Sequence, residues 1–481
     1  MKRAAPALPR RPAALAAALA AAFAAALATG CAVVPPAETY SAPQLPLPAA
    51  PAAPEPEVGA EWWTGFGDPR LDTLVGEALA NNRDLARAMA RIDESRAALR
   101  GARAERLPSV SASAGAARQR LSENAPGGVS GTYNDLRAGV NVAYEVDLWS
   151  RAASLDGAAR EELLASEFAR ETLRTALAAQ VVQSYAALQS LDAQTSLYGQ
   201  AVQAQRDSLR LQRLRYSAGD ISELDIQQLE AELIDNEAQL PKLDRARGEA
   251  ERALALLLGR SPQALVEGGI DRRETPTLRA GGVPDGLPSD LLLRRPDVQA
   301  AEARLRAAGA RVAAARAAYF PGIRLTAAYG RESTQLSRLL DAPSAAWSVA
   351  AALTQPIWDA GRIGAQFDAT KARREQTELD YRDSVVTAFK EVRDALGQTR
   401  EAETTLESGQ RRAQALQRAA ELTRLRFNGG ESSRLDVINA ERLALTAQAQ
   451  NADAARALTA AQANLFRALG GGWRVRGAGG G

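Results

Sequence analysis

Few side chains in this sequence are suited to chemistry. The chain of 481 residues has one cysteine, no histidine and two methionines. Without imidazole, His-based triads and His metal sites are excluded. The one thiol, Cys31, closes the stretch Leu27-Ala-Thr-Gly-Cys31, and without a second cysteine no intrachain disulfide can form. No Gly-rich phosphate loop follows a strand pattern. Paired acids such as Glu161-Glu162 fall on a polar helix face and read as solvated. The carboxylates that stand out are Asp225 and Asp436. Each ends one copy of a repeated stretch, Arg213-Leu-Arg-Tyr-Ser-Ala-Gly-Asp-Ile-Ser-Glu-Leu-Asp225 and Arg424-Leu-Arg-Phe-Asn-Gly-Gly-Glu-Ser-Ser-Arg-Leu-Asp436. Each aspartate sits in Ser-x-x-Asp, which reads as a helix N-cap with an acid in the first turn, where the helix dipole favours it. Gly219, Gly429 and Gly430 suit a reversal that needs φ > 0. The stretch is a helical hairpin tip, used twice. No enzyme, cofactor or metal is expected. Charges of both signs are interspersed to a formal net of +2, without the basic stripe of a nucleic-acid protein.

Long helices must carry these tips. From Arg151 to Tyr216 there is no proline, and glycine occurs only at Gly157 and Gly199. Leu188, Leu191, Tyr198, Val202, Leu209 and Tyr216 follow a 3,4 spacing. Ile226, Leu229, Leu233, Leu240 and Leu243 do the same after the tip. Such seams predict helices packed side by side over a length of roughly 100 Å. A break, if there is one, is expected at Gly199, and Pro241 is expected to kink the returning helix.

Strands alternate with period two. Leu136, Ala138, Val140, Val142, Tyr144, Val146 and Leu148 share one face, with Arg137, Asn141, Glu145 and Asp147 on the other. Ile323, Leu325, Ala327 and Tyr329 form a second such face, and Trp347, Val349, Ala351 and Leu353 a third. The fourth strand, Ser109 to Ala117, alternates only between Ser/Gly and Val/Ala. Polar connections are expected at Arg118 to Asp135 and at Arg331 to Ser344. Ten-residue strands with one apolar face suit an outer-membrane β-barrel. Four strands cannot close a barrel. Two chains would pool about eight strands around a filled interior, and three would pool about twelve around a water-filled bore.

The chain is also a duplication. Asp84-Leu85 aligns with Asp297-Val298, Leu107-Pro108 with Phe320-Pro321, Leu148-Trp149 with Ile357-Trp358, and Tyr216 with Phe427, at an offset of 209–213. Repeat one spans 61–270, with strands near 108–117 and 136–148 and its tip near 216–225. Repeat two spans 271–472, with strands near 321–330 and 346–357 and its tip near 427–436. A Gly- and Pro-rich linker, Gly268 to Pro288, joins them, and 473–481 is a Gly-rich tail.

Residues 1–30 read as a signal peptide, with Lys2, Arg3, Arg10 and Arg11 ahead of an Ala-rich apolar run from Ala13 to Leu27. The small residues before Cys31 resemble a bacterial lipobox, which implies cleavage there and lipidation, palmitate included, of Cys31. Ala32 in place of aspartate implies release to the outer membrane. Cleavage removes four positive side chains and takes the formal charge from +2 to −2. Residues 31–60 are a Pro/Ala-rich tether.

Glu61-Trp-Trp-Thr-Gly-Phe-Gly-Asp-Pro69, Leu291-Leu-Leu-Arg-Arg-Pro-Asp297 with Ala301-Glu302, and both tips resemble the TolC-type outer-membrane efflux family, in particular its NodT-like lipoprotein branch. The resemblance runs from Cys31 to about Trp473. It implies a mainly α fold with a small β part, built from a duplicated helix-strand-strand-helix-helix repeat. It implies a homotrimer with a twelve-stranded β-barrel in the outer membrane and a long periplasmic α-helical barrel. The implied function is an efflux exit duct for small molecules or drugs. Its implied partners are a periplasmic adaptor, an inner-membrane RND-type pump and outer-membrane lipid. The family's carboxylate rings map onto Asp225 and Asp436, and its second acid onto Asn439, which implies a gate with fewer charges. Cap-only and pore-ring roles stand evenly for Asp225, and the ring is favoured for Asp436. Tyr216 and Phe427 match the aromatic tip position, or are plain seam residues. With Gly219, Gly429 and Gly430 they would dock the adaptor. The alternative is a non-pore periplasmic long-helix structural or adaptor lipoprotein, which would need one hairpin and no amphipathic strands. The only methionines, Met1 and Met89, argue against a Met-lined copper or silver relay.

Overall fold

The computed structural model describes residues 61–121, 131–267, 269–270, 293 and 295–471. The signal segment, Cys31, the tether, the linker and the Gly-rich tail therefore lie outside the described residues, as does the connection at 122–130. The elements, in order, are a 3-10 turn (Trp62–Phe66), α1 (Pro69–Asn81), α2 (Arg83–Ala104), β1 (Ser109–Leu121), β2 (Gly131–Val146), α3 (Arg151–Ser217), α4 (Glu223–Glu237), α5 (Gln239–Leu257), α6 (Pro262–Glu267), α7 (Pro296–Ala317), β3 (Gly322–Ser333), β4 (Ala345–Thr354), α8 (Arg362–Asn428) and α9 (Arg434–Ala468). They divide into two compact units.

The first unit holds Ile92–Ala165 and Ala301–Tyr381. Its centre is one antiparallel sheet in the order β1-β2-β3-β4. Sequence neighbours pair in two hairpins, and β2 pairs β3 across the repeats, Val142 opposite Ala327. The strands run past the expected connections, to Leu121 and from Gly131 on one side and to Ser333 on the other. Hydrophobic alternation marks only the apolar part of a strand, whereas ladder hydrogen bonds continue between polar residues such as Arg118 and Asn134. At the opposite end β2 stops at Val146 and β4 at Thr354, short of Leu148 and Ile357. Pro356 cannot donate to a ladder. Asp147 turns the chain from β2 into α3, its carboxylate accepting from the N–H groups of Ala152 (3.0 Å) and Ala153 (2.8 Å). Asp359 starts α8 likewise, accepting from Gly361 (3.0 Å) and Ile363 (2.8 Å). Trp149 stacks on Phe320 at 4.4 Å and donates to Pro321 O at 2.8 Å.

The second unit holds the described residues of Leu45–Arg91, Ser166–Ala300 and Arg382–Gly481. Its core gathers Trp62, Trp63, Phe66, Leu71, Val75, Val181, Tyr185, Leu188, Leu254 and Leu258. Trp62 stacks on Phe466 at 5.0 Å. Buried Asp68 caps α1 by accepting from Arg70 N (2.9 Å), and takes a second bond from the Tyr185 hydroxyl (2.9 Å). Buried Arg295 of the Arg-Arg-Pro-Asp motif is satisfied by Asp297 (2.7 Å), Glu391 (2.8 Å) and Ala468 O (2.9 Å).

Helices α3 and α8 are each 67 residues long, and α3 passes Gly199 unbroken. The returning helix breaks at Ala238, between α4 and α5, within the turn before Pro241, where the proline ring crowds the carbonyl of Glu237. Pro241 lies in the first turn of α5, where its missing N–H leaves no bond unmade.

Candidate functional site

The tips are built from backbone first. At the end of α3, Gly219 N donates to Tyr216 O (2.9 Å) and Asp220 N to Arg215 O (2.9 Å). At the end of α8, Gly430 N donates to Phe427 O (3.0 Å) and Glu431 N to Arg426 O (2.8 Å). These are Schellman closures with glycine in the left-handed region, φ +83° at Gly219 and +80° at Gly430. Gly429 has no positive φ; it stands where the first tip has Ala218, so the reversal needs one glycine and not two.

Each return helix opens with a complete capping box. Asp225 accepts from Ser222 N (3.1 Å) and Oγ (2.7 Å), and its own N–H donates to Ser222 Oγ (3.2 Å). Asp436 accepts from Ser433 N (2.9 Å) and Oγ (2.7 Å), and donates to Ser433 Oγ (3.2 Å). The Ser433 hydroxyl and backbone N–H hold the exposed Asp436 carboxyl below the ordinary aspartate range. In both boxes it is Oδ2 that accepts these bonds. Arg213 pairs with Glu230 (2.7 Å) and Arg424 with Glu441 (3.4 Å), so the same ion pair ties each hairpin at an offset of 211.

The two hairpins meet. Ile438 of α9 packs with Val202, Leu209, Ile226, Leu229 and Leu233. Arg434 lies over the Phe427 ring, 4.1 Å from its centroid. Burial lowers its pKa, against the pull of Glu441 and Asp225, which places Asp225 within electrostatic reach of the second hairpin. The matching position in the first tip is Glu223, and Tyr216 there stays 44% exposed. Tyr216 is therefore not seam core: among the described residues the buried apolar seam of α3 ends at Leu209. Below the tips, Asn236 bridges Gln205 (3.1 Å) and Glu232 (3.3 Å), and burial raises the Glu232 pKa.

The sheet has two unlike faces. Cross-strand rows on one face are Val140-Tyr329-Trp347, Val142-Ala327-Val349, Tyr144-Leu325-Ala351 and Val146-Ile323-Leu353. From Leu136 to Val146 that face spans about 26 Å at ordinary rise and tilt, the height of a barrel's apolar band. The other face carries Ser111-Asn141-Ala328-Ser348 and Ser113-Gly139-Gly330-Ala346. There a Cβ on Gly330 would meet Ala138 O at 2.6 Å, and one on Gly139 would meet Tyr329 O at 2.9 Å. A row without bulk where backbones approach is what the concave side of a curling sheet requires. Among the described residues no helix is long and apolar enough to cross a membrane, and no group of three or more metal-ligating side chains occurs.

The outer membrane efflux protein family matches residues 74–260 and 287–471. The chain belongs to this family. It is 34% identical over 422 residues to the pyoverdine export outer membrane protein OpmQ of Pseudomonas aeruginosa, covering 86% of this chain and 88% of that one. It is 32% identical over 457 residues to the cation efflux system protein CusC of Escherichia coli, covering 93% and 96%. The probable outer membrane lipoprotein SilC of Salmonella typhimurium is 32% identical over 415 residues, covering 86% and 88%. Among solved structures, a CusC structure matches with a TM-score of 0.82 at 30% identity, covering 91% of this chain and 99% of that chain. The Campylobacter jejuni CmeC outer membrane channel matches at 0.83 and 25%, covering 90% and 95%.

This outer membrane efflux protein has the mainly α fold, with a small β part, of the outer membrane channels it matches, and its place is the outer membrane. The family is one of channels and not of enzymes. Of the residues singled out from the sequence, Asp225, Asp436, Tyr216, Gly219, Phe427, Gly429 and Gly430 all fall at the tips, and Asn439 faces Arg442 (3.4 Å). Sequence reasoning missed Arg434. Its signal was the mismatch between repeats, arginine facing glutamate at an offset of 211 in otherwise matching tips.

Proposed function

We propose that three copies of this chain close a barrel of about twelve strands and form the exit duct of a tripartite pump. Small molecules or drugs would pass through it from the periplasm and the pump to the exterior. The observation that carries this is one sheet with an apolar face and a small-residue concave face, in a chain that also bears two capped hairpin tips. In this reading the strand ends that join the helices face the periplasm, and the hairpin ends face outward. The tips receive a periplasmic adaptor and an inner-membrane RND-type pump around Tyr216, Gly219, Phe427, Gly429 and Gly430. Asp436, whose Oδ1 takes no hydrogen bond among the described residues, forms a carboxylate ring, and Asp225, whose field reaches Arg434, contributes less. Asn439 adds no charge. Cys31 carries the lipid. The relatives are named for pyoverdine export and for cation efflux, which supports a duct whose cargo is chosen by its pump.

A photo-crosslinking residue at position 216 tests the docking. Capture of a periplasmic adaptor in cells is expected. Capture of no adaptor, from a trimer correctly inserted in the outer membrane, contradicts the partner assignment.

A further inference from the structure

The β3–β4 connection exposes leucine where water is expected. Leu336 is 73% and Leu340 79% exposed. The segment is nevertheless built. Two 3-10 turns, Leu336–Arg338 and Ala342–Ser344, shape it. Ser344 Oγ donates to Arg338 O (2.7 Å), and Gln335 N donates to Ser333 Oγ (3.1 Å). Arg331 fixes its lean. That residue lies opposite Ala138 and Ala345, on the apolar face, two residues beyond Tyr329. From there its Nη1 donates to Leu340 O (2.5 Å) and Asp341 O (2.7 Å). The loop is thereby pulled over the apolar face and not over the polar one. The apolar row below it ends in Tyr329, 62% exposed, and Trp347, 76% exposed. Leu336 and Leu340 therefore extend the lipid-facing band outward past Tyr329 and Trp347. Arg338, exposed at the loop's tip, is in no ion pair among the described residues. The loop's one acid is Asp341, and Glu332 lies on the opposite face, paired with Arg137 (3.3 Å).

We propose that residues 334–344, with Tyr329 and Trp347, form a binding site for a phosphorylated, multi-acyl glycolipid of the outer leaflet. Leu336 and Leu340 insert among the acyl chains, Tyr329 and Trp347 lie deeper in the same band, and Arg338 receives a phosphate. An apolar loop continuous with the lipid-facing band matches acyl chains, and a cation beside it matches their phosphate. The site rests on the barrel and orientation proposed above.

The test uses the full-length trimer, stripped of lipid and returned to bisphosphoryl lipid A or to phosphatidylethanolamine, with retained lipid read by native mass spectrometry. Wild type should keep lipid A in preference. Leu336→Ser with Leu340→Ser should cut its occupancy by about tenfold or more, at unchanged trimer yield. Arg338→Gln should erase the preference for bisphosphoryl over monophosphoryl lipid A. Lipid with brominated chains should quench Trp347, read against Trp347→Phe. Equal lipid A retention by wild type and the leucine variant overturns the site. A changed conductance with unchanged retention also overturns it, and assigns the loop to contacts between copies at the pore mouth. Failure to form a trimer at all would count against the barrel and leave its own distinct signature.

Discussion

Asp436 has two roles that share one side chain. Its Oδ2 closes a capping box, and Ser433 holds its pKa low. A depressed carboxylate stabilises above its unfolded pKa, and that contribution is lost as pH falls through the folded value. The cap is thus complete at neutral pH and weakens only in acid. Glu232 has the opposite sign. Burial raises its pKa, so its contribution is full below the unfolded value and is lost as pH rises through the folded one. Glu232→Gln keeps an acceptor for Asn236 and removes the charge. Slower hydrogen exchange in α4 is expected for this variant near pH 7, with little difference near about pH 4. Faster exchange at both values would contradict the assignment. Arg434→Ala should speed exchange at the second tip by roughly 2- to 30-fold, the value of a cation–π contact. The first tip, which has Glu223 in that place, should change less.

At the scale of elements, glycines locate the bend of the sheet. Gly330→Val drives side-chain carbon onto Ala138 O and should cut the yield of folded oligomer about fivefold or more, by size-exclusion chromatography in detergent. Gly115→Ala, where an added Cβ meets nothing within 4 Å, is the control and should be silent. Much of this was legible in the sequence. Alternation from Leu136 to Val146 located a strand and its lipid face, because lipid demands apolar side chains at every second position. The Ser-x-x-Asp pairs located both return helices, because a cap has its own chemistry. The strand ends beyond Arg118 were not legible, since polar residues in water form ladders without a pattern. The break in the returning helix was legible from Pro241, but its place at Ala238 was not, because a proline acts on the turn before it. Arg434 over Phe427 is a contact inside the second tip, and it shows in the sequence only as the departure from Glu223 at the matching place in the first.

For the whole molecule, four strands with two open edges require partners. Native mass spectrometry in detergent should find three copies, and a monomer or dimer would refute the open bore. Cys31→Ser should abolish acyl labelling while the barrel still holds the protein in the outer membrane; mature protein beginning at another residue would contradict the lipid anchor. The central claim is that the chain conducts through a tip lined by carboxylates, and single-channel recording in planar bilayers tests it most directly. Wild type, Asp436→Asn and Asp225→Asn would be compared with and without hexamminecobalt(III). Like charges close together across a constriction attract cations. A cation-selective channel blocked by the trivalent ion is expected, with selectivity and block both reduced in Asp436→Asn and reduced less in Asp225→Asn. Equal selectivity and equal block in all three would leave the aspartates as helix caps and the gate misplaced, and no conductance from an intact trimer would contradict the duct itself.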